Sequence, residues 1–298
     1  IMLGIDINYQ FIDWQHDPTL DEDFHHLGTL SATILSPSIT VGLTDWWNIS
    51  LSQAIGKRYM TWGSDTPSNH HETEGSESTR ANAIGGYLGN SRLMVRYLLL
   101  NAGSGPGARL FFGGGLVIPS SNTLTSDPFF LDGDPIEKHR HFSMSEGVYK
   151  AIIETQFFIK RMQTPVFMGG TLTIKEPLGE NKHGFKASRL IDLSFTAFTG
   201  KLKYLNGSLG GSIMIRKTNK AYWNGKVAPN SESSLLIPGA GILWNLKFAT
   251  LMLNLQKPFF LQGSFAGTEA YLDEETDVWQ VSLGMRKILD YSIPWLYW

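Results

Sequence analysis

Apolar and polar positions alternate with a period of two along most of this chain. In Met2–Trp14, Ile5, Ile7, Tyr9 and Phe11 share one face while Asp6, Asn8 and Gln10 share the other. Trp47, Ile49, Leu51 and Ile55 oppose Asn48, Ser50 and Ser52, and Leu93, Val95, Tyr97 and Leu99 oppose Arg92, Met94 and Arg96. The pattern returns in Lys150–Ile159, where Ala151, Ile153, Phe157 and Ile159 oppose Lys150, Glu154 and Gln156. It also covers Ile191–Ala197, with Asp192, Ser194 and Thr196 on the polar face, and Val278–Arg286, with Gln280, Ser282 and Arg286 there. Successive side chains of a strand point to opposite faces, so this pattern predicts strands with one apolar and one polar surface.

The segments between these runs alternate in length. Short turns fall near Leu43–Trp46, Asn101–Gly107, Arg161–Thr164, Gly200–Leu205 and Asn245–Lys247. Long polar stretches fall near His16–His26, Met60–Gly85, Ser120–Ser145, Pro177–Ser188, Thr218–Ser234 and Phe259–Thr276. About twelve strands, five short turns and six long loops follow, with both termini on the short-turn side. Short periplasmic turns, long outer loops and an even strand number are the layout of a transmembrane antiparallel β-barrel. The expectation is therefore an all-β, single-domain barrel over residues 1–298, in a bacterial outer membrane, with both termini periplasmic. A soluble β-sandwich would also alternate, but with its apolar face inward. Against it stand the Arg and Glu residues on the polar faces of separate strands. Aromatics also cluster near predicted strand ends, at Trp46, Trp47, Tyr59, Trp62, Trp223, Trp244 and Trp279. The longest apolar stretch, Leu235–Leu255, contains Pro238, Gly239, Gly241, Asn245 and Lys247, so it reads as two strands and a turn rather than a spanning helix.

Composition sharpens this picture. Charged residues are 17% of the chain, against about 25% in ordinary soluble proteins. The 31 glycines and the abundant Trp, Tyr and Phe suit close-packed β structure with interfacial aromatic belts. A formal charge of -2 removes any bulk electrostatic case for nucleic acid. With no cysteine, these 298 residues hold no disulfide, thiolate metal site, catalytic thiol or lipid-modified cysteine. The opening at Ile1, without a charged and then apolar leader, raises the expectation that a signal peptide has been removed.

Four segments, taken in order, resemble a known family. ITVGLTDWWNISLSQAIG (Ile39–Gly56) is similar to its Gly-Val/Leu-Thr-Asp hairpin, and YLGNSRLMVRYLL (Tyr87–Leu99) to its Gly-Asp strand that ends in a basic residue and Tyr. GARLFFGGGLVIPS (Gly107–Ser120) is similar to its Gly-rich strand, and Ala228–Phe260 to a Pro-Asn-Ser-Gly-Gly loop with the strands that follow. The family is that of outer-membrane putative transporters of the meta-pathway of phenol degradation. The chain departs from it at Asn90, where the family has an acidic residue, and at Glu232 and Ser233, where it has two glycines. The resemblance implies an outer-membrane barrel acting as a channel or transporter, and it carries over no catalytic residue. The channels for fatty acids and toluene are a looser comparison. They have an N-terminal hatch, whereas strand-like alternation here begins by about Ile5.

The polar faces supply Arg92, Arg96, Arg109, Lys150, Glu154, Lys175, Asp192, Arg216 and Arg286 as candidates to line a lumen. They would form either a charged constriction that selects solutes or a salt-bridged core that fills the barrel, because twelve strands lie between filled eight-stranded and open sixteen-stranded barrels. The leading function is passage of a small, hydrophobic solute. The alternative is a non-conducting barrel that docks partner proteins of the envelope. All eight histidines fall in predicted outer loops. Of these, His25, His26, His70, His71, His139 and His141 are candidates to capture Cu²⁺ or Zn²⁺, although their spacing matches no zinc motif. No other cofactor is expected, and the expected partners are membrane lipid, the solute and envelope proteins. Nucleophile-elbow, phosphate-loop and His-Glu-x-x-His motifs are missing, so no enzyme is expected. The run Gly113–Gly115 lies within a strand and reads as close packing or local bending.

Overall fold

The structure, a computed structural model, describes residues 1–16, 26–62, 87–103, 105–128, 143–229, 231–263 and 275–291. Its strands are β1 (Met2–His16), β2 (His26–Gly42), β3 (Trp47–Trp62), β4 (Leu88–Asn101), β5 (Gly107–Ile118) and β6 (Lys150–Lys160). They continue as β7 (Phe167–Pro177), β8 (Phe185–Lys186), β9 (Leu190–Phe198), β10 (Ser208–Thr218), β11 (Tyr222–Trp223) and β12 (Lys226–Val227). The last are β13 (Ser233–Asn245), β14 (Thr250–Gln256), β15 (Phe259–Gln262) and β16 (Glu275–Ile288).

Twelve of these make one closed antiparallel barrel, in the order β10-β9-β7-β6-β5-β4-β3-β2-β1-β16-β14-β13, with β13 returning to β10. Closure leaves no free sheet edge, which is what lets a sheet cross lipid. The stretch read as two strands and a turn is β13 and β14, joined by residues 246–249. One boundary differs from expectation. Phe259–Gln262 does not belong to the last long loop but extends the wall as β15, paired with β13. Pro258 has no N–H for the ladder, so the strand breaks there and resumes beyond it.

Pairing register fixes the two faces. The ladder aligns Asn48, Ser50 and Ser52 with Arg96, Met94 and Arg92, and aligns these in turn with Gly113, Gly115 and Val117. Beside them come Glu154, Ile152 and Lys150, and then Thr173, Lys175 and Pro177. This set faces the interior. The other face carries Leu51, Val95, Phe112, Ile153, Phe195, Ile213 and Leu283, all exposed. Leu93, Phe157 and Leu193 are half-buried on the same outer face. A sandwich would bury these residues and expose the arginines; the barrel does the reverse. Near the short turns the outer face carries Trp46 and Trp47, both packed on Tyr97. Trp279 is exposed nearer the long-loop side, so aromatics stand toward both margins of the apolar band, as expected at lipid–water boundaries.

The long-loop side carries structure of its own. β8, β11 and β12 form a small three-stranded sheet. β11 and β12 meet at Asn224–Gly225, both with positive φ (47° and 82°). That is the geometry of a two-residue primed turn, in which Asn-Gly is the favoured pair. Trp223 is buried in this cap against Ala221 and Ala228, with Leu124 and Phe185 around it.

Candidate functional site

The inward faces of β1–β7, β9, β14 and β16 enclose a cavity of about 1100 Å³ inside the barrel. Arg92, Arg96, Lys150, Lys175 and Arg286 line it, together with Asp6, Arg58 and a polar wall that includes Asn8, Ser36, Ser38 and Ser50. Of the other residues proposed from sequence, Glu154, Asp192, Arg216 and Arg109 occupy the same inward register.

The charges are grouped by the wall beneath them. Glu154 on β6 is buried and binds two arginines of β4, two strands away. Arg96 Nε donates to Glu154 Oε1 at 2.6 Å, and Arg92 pairs with Oε2. Between them lies β5, whose inward residues opposite Arg96 and Met94 are Gly113 and Gly115. A Cβ on Gly113 would sit 3.0 Å from Arg96 Cγ, and one on Gly115 would sit 2.3 Å from Met94 Sδ. The glycine run therefore clears the floor across which the β4 side chains reach Glu154. Gln156 Nε2 donates to the same carboxylate (2.9 Å), and Arg96 donates to Ser50 Oγ (2.8 Å).

The same device recurs where the barrel closes. Arg286 on β16 makes a two-pronged pair with Asp6 on β1, at 2.9 and 2.8 Å. Gly4 and Gly284 lie under it: a Cβ on Gly4 would meet Arg286 Cδ at 3.2 Å, and one on Gly284 would meet Asp6 Oδ1 at 2.8 Å. Arg216 and Asp192 are direct cross-strand neighbours and pair at 2.7 Å. In each group the guanidinium lies along the wall rather than across the bore.

At the long-loop end the connection between β5 and β6 turns inward. Ser143–Glu146 lines the cavity, and Met144 and Ser145 are buried. Asn122, fully buried, accepts from Met144 N (3.0 Å) through its side chain and from Ser145 N (3.0 Å) through its backbone carbonyl. Asn181 Nδ2 donates to Glu146 O, while its Oδ1 accepts from His183 N and Phe185 N. Lys150 is held by Glu146 at 2.5 Å and donates to Ser188 O at 3.3 Å. Among the described residues of the cavity lining, with Glu154 beneath it, six cations (Arg58, Arg92, Arg96, Lys150, Lys175, Arg286) face three carboxylates (Asp6, Glu146, Glu154).

Toward the short turns the interior of one wall becomes aromatic. Phe111, Phe158, Phe167 and Phe198, from β5, β6, β7 and β9, follow one another with ring centroids 5.8–6.3 Å apart. Gly169 and Gly210 leave room for them, since a Cβ there would lie 2.9 Å from Phe158 and 2.3 Å from Phe198. Arg109 stands in register with Phe158 at this end.

Asp6, Arg58, Glu146, Asn122, Asn181 and the phenylalanine ladder were absent from the lumen-lining candidates drawn from sequence. Asp6 was legible on the polar face of its strand, and Asn224–Gly225 was a legible hairpin signal. Glu146 and Asn181 lie in loops, where no periodicity places a side chain. Among the candidate metal ligands, His25, His70, His71, His139 and His141 lie outside the described residues. The backbone of His26 pairs with that of His16. Among the described residues no group of three or more His, Asp or Glu side chains is placed to hold a metal.

The fold and its charged interior define a β-barrel of the outer-membrane type. The chain is similar in structure to the COG4313 outer membrane channel from Pseudomonas putida F1, with a TM-score of 0.56, 11% identity, and 97% of this chain and 95% of that one covered. It also aligns with the TodX monoaromatic hydrocarbon channel (TM-score 0.48, 8% identity, 97% and 90% covered). A third alignment is with a Pseudomonas aeruginosa FadL homologue (0.44, 8%, 96% and 90%). The chain matches no protein-family model, and no curated protein matches it in sequence.

Proposed function

We propose that this protein is an outer-membrane channel that passes a small solute through the barrel lumen, with its termini and short turns on the periplasmic side. One observation carries the reading: a closed twelve-stranded wall, apolar outside, encloses a polar cavity of about 1100 Å³ in which glycines of the wall make room for the ion pairs at Glu154 and at Asp6. A barrel stabilised only by a packed core would fill that space, as eight-stranded barrels do. The phenylalanine ladder at the short-turn end supports a solute with apolar character, because aromatic faces offer it area without demanding hydrogen bonds. The similarity in fold to an outer membrane channel supports the same reading.

The test is reconstitution. Purified, folded protein in planar bilayers is expected to give discrete conductance steps, and in liposomes a solute-dependent swelling rate. A sealed barrel that shows neither, with solutes of any size or polarity, overturns the proposal.

A further inference from the structure

The cavity's charge balance opposes that of the chain. The whole sequence carries a formal charge of -2, yet cations outnumber carboxylates two to one in the described lining. The carboxylates present are already engaged: Asp6 by Arg286, Glu146 by Lys150, and Glu154 by two arginines. Lys175 is a lining cation that none of these three carboxylates holds. It stands on β7 in the inward register, between Ile152 of β6 and Leu190 of β9, half-buried and on the cavity wall. Asp192, in the neighbouring inward row, attracts Lys175 through space but forms its salt bridge with Arg216. Among the described residues no carboxylate forms a salt bridge with Lys175.

The geometry points to a lumen that selects small anions, organic carboxylates above all, with Lys175 as the cation that an entering carboxylate meets. An ammonium on a flexible stem is a compact point charge and can follow a moving anion. The arginines are held flat by their partners, so they add field without blocking the bore. A ring of like charge in a narrow passage raises the local concentration of counter-ions and sets selectivity. This inference rests on the channel reading above and refines it to a charge class.

The experiment is the reversal potential of the purified protein in planar bilayers under a KCl gradient, then under a potassium acetate gradient. The expected sign in both is that of anion permeation. Lys175→Gln should lower the anion-to-cation permeability ratio about tenfold, because one charge acting through water across about 6 Å changes the anion's and the cation's Boltzmann factors by about three each, in opposite senses. Lys175→Glu should lower it further, and Lys175→Arg should preserve it. Lys217→Gln, on the exposed outer face of β10, should leave it unchanged. A conducting protein that prefers potassium, or whose selectivity is indifferent to Lys175→Gln and Lys175→Glu, overturns this inference and leaves the channel standing. A protein that conducts no ion and passes no solute overturns both. The unmodified protein alone decides the sign, so the test survives a variant that fails to fold.

Discussion

Replacing Glu154 with Gln tests the central charge group most directly. The carboxylate is 3% exposed, Arg96 15% and Arg92 33%. Glu154→Gln keeps the shape but removes the charge that both guanidinium groups share, and it turns an N–H₂ donor toward one of them. Breaking a buried ion pair by removing one partner costs about 3–5 kcal/mol, because a charge is left uncompensated. The reverse changes should cost less, since each leaves Glu154 with its other arginine. Arg96→Gln forfeits a charge-assisted bond and the bond to Ser50, for about 2 kcal/mol. Arg92→Gln, a third exposed and screened by solvent, should cost about 1 kcal/mol or less. The assay is equilibrium urea unfolding from lipid vesicles, followed by the fluorescence of the nine tryptophans and by the heat-dependent shift in gel mobility. The expected order of cost is Glu154, then Arg96, then Arg92. A volume-conserving Arg96→Met/Glu154→Met double variant should recover part of the Glu154→Gln loss. Equal costs for the three single changes, or a Glu154→Gln protein within about 0.5 kcal/mol of the parent, would refute the shared-carboxylate reasoning.

Other expectations follow from the same geometry. Gly115→Ala should lower the yield of heat-modifiable folded protein, because its Cβ would lie 2.2 Å from Leu93 O and 2.3 Å from Met94 Sδ, whereas Gly114→Ala, with its nearest neighbour at 3.8 Å, should fold normally. Asn181→Ala removes the hydrogen bond that ties the cap to the inward-turning segment at Glu146 and the two that hold its own loop at His183 and Phe185. Trypsin should then cut faster after Lys182 or Lys186, with no change in the barrel's unfolding midpoint; an unchanged cleavage rate would show that the cap is held otherwise. Ile153→Arg, on the outer face and 53% exposed, should cost roughly 2–4 kcal/mol in vesicles if that face meets the lipid midplane, while Ile153→Leu should cost nothing measurable.

Much of this fold was legible because a barrel wall has a simple code. Period two assigned Leu93 and Val95 to one face and Arg92 and Arg96 to the other, and closure forces the apolar face outward in lipid. The hairpin rhythm gave twelve strands and located every connection of the wall. What escaped lies where that code is silent. β15 was hidden because Gln256, Lys257 and Pro258 before it resemble the start of a loop. The glycine run at Gly113–Gly115 was read as close packing, but what packs on it, Arg96 and Met94 from the next strand, depends on register. Glu154 and its two arginines share a polar face in sequence, while their pairing spans two ladders. Glu146 and Asn181 act from loops whose paths are set by buried hydrogen bonds rather than by alternation.

The pair between Asp6 and Arg286 joins the first strand to the last, across 280 positions of chain. Its two members lie on the edges of the sheet until the circle is complete. An open sheet would therefore carry an unpaired guanidinium on one edge and an unpaired carboxylate on the other, both on the face that becomes the lumen. Both are neutralised in the same event that pairs the last backbone groups. The β1–β16 ladder and this ion pair therefore close together, and opening the wall at that seam breaks both at once.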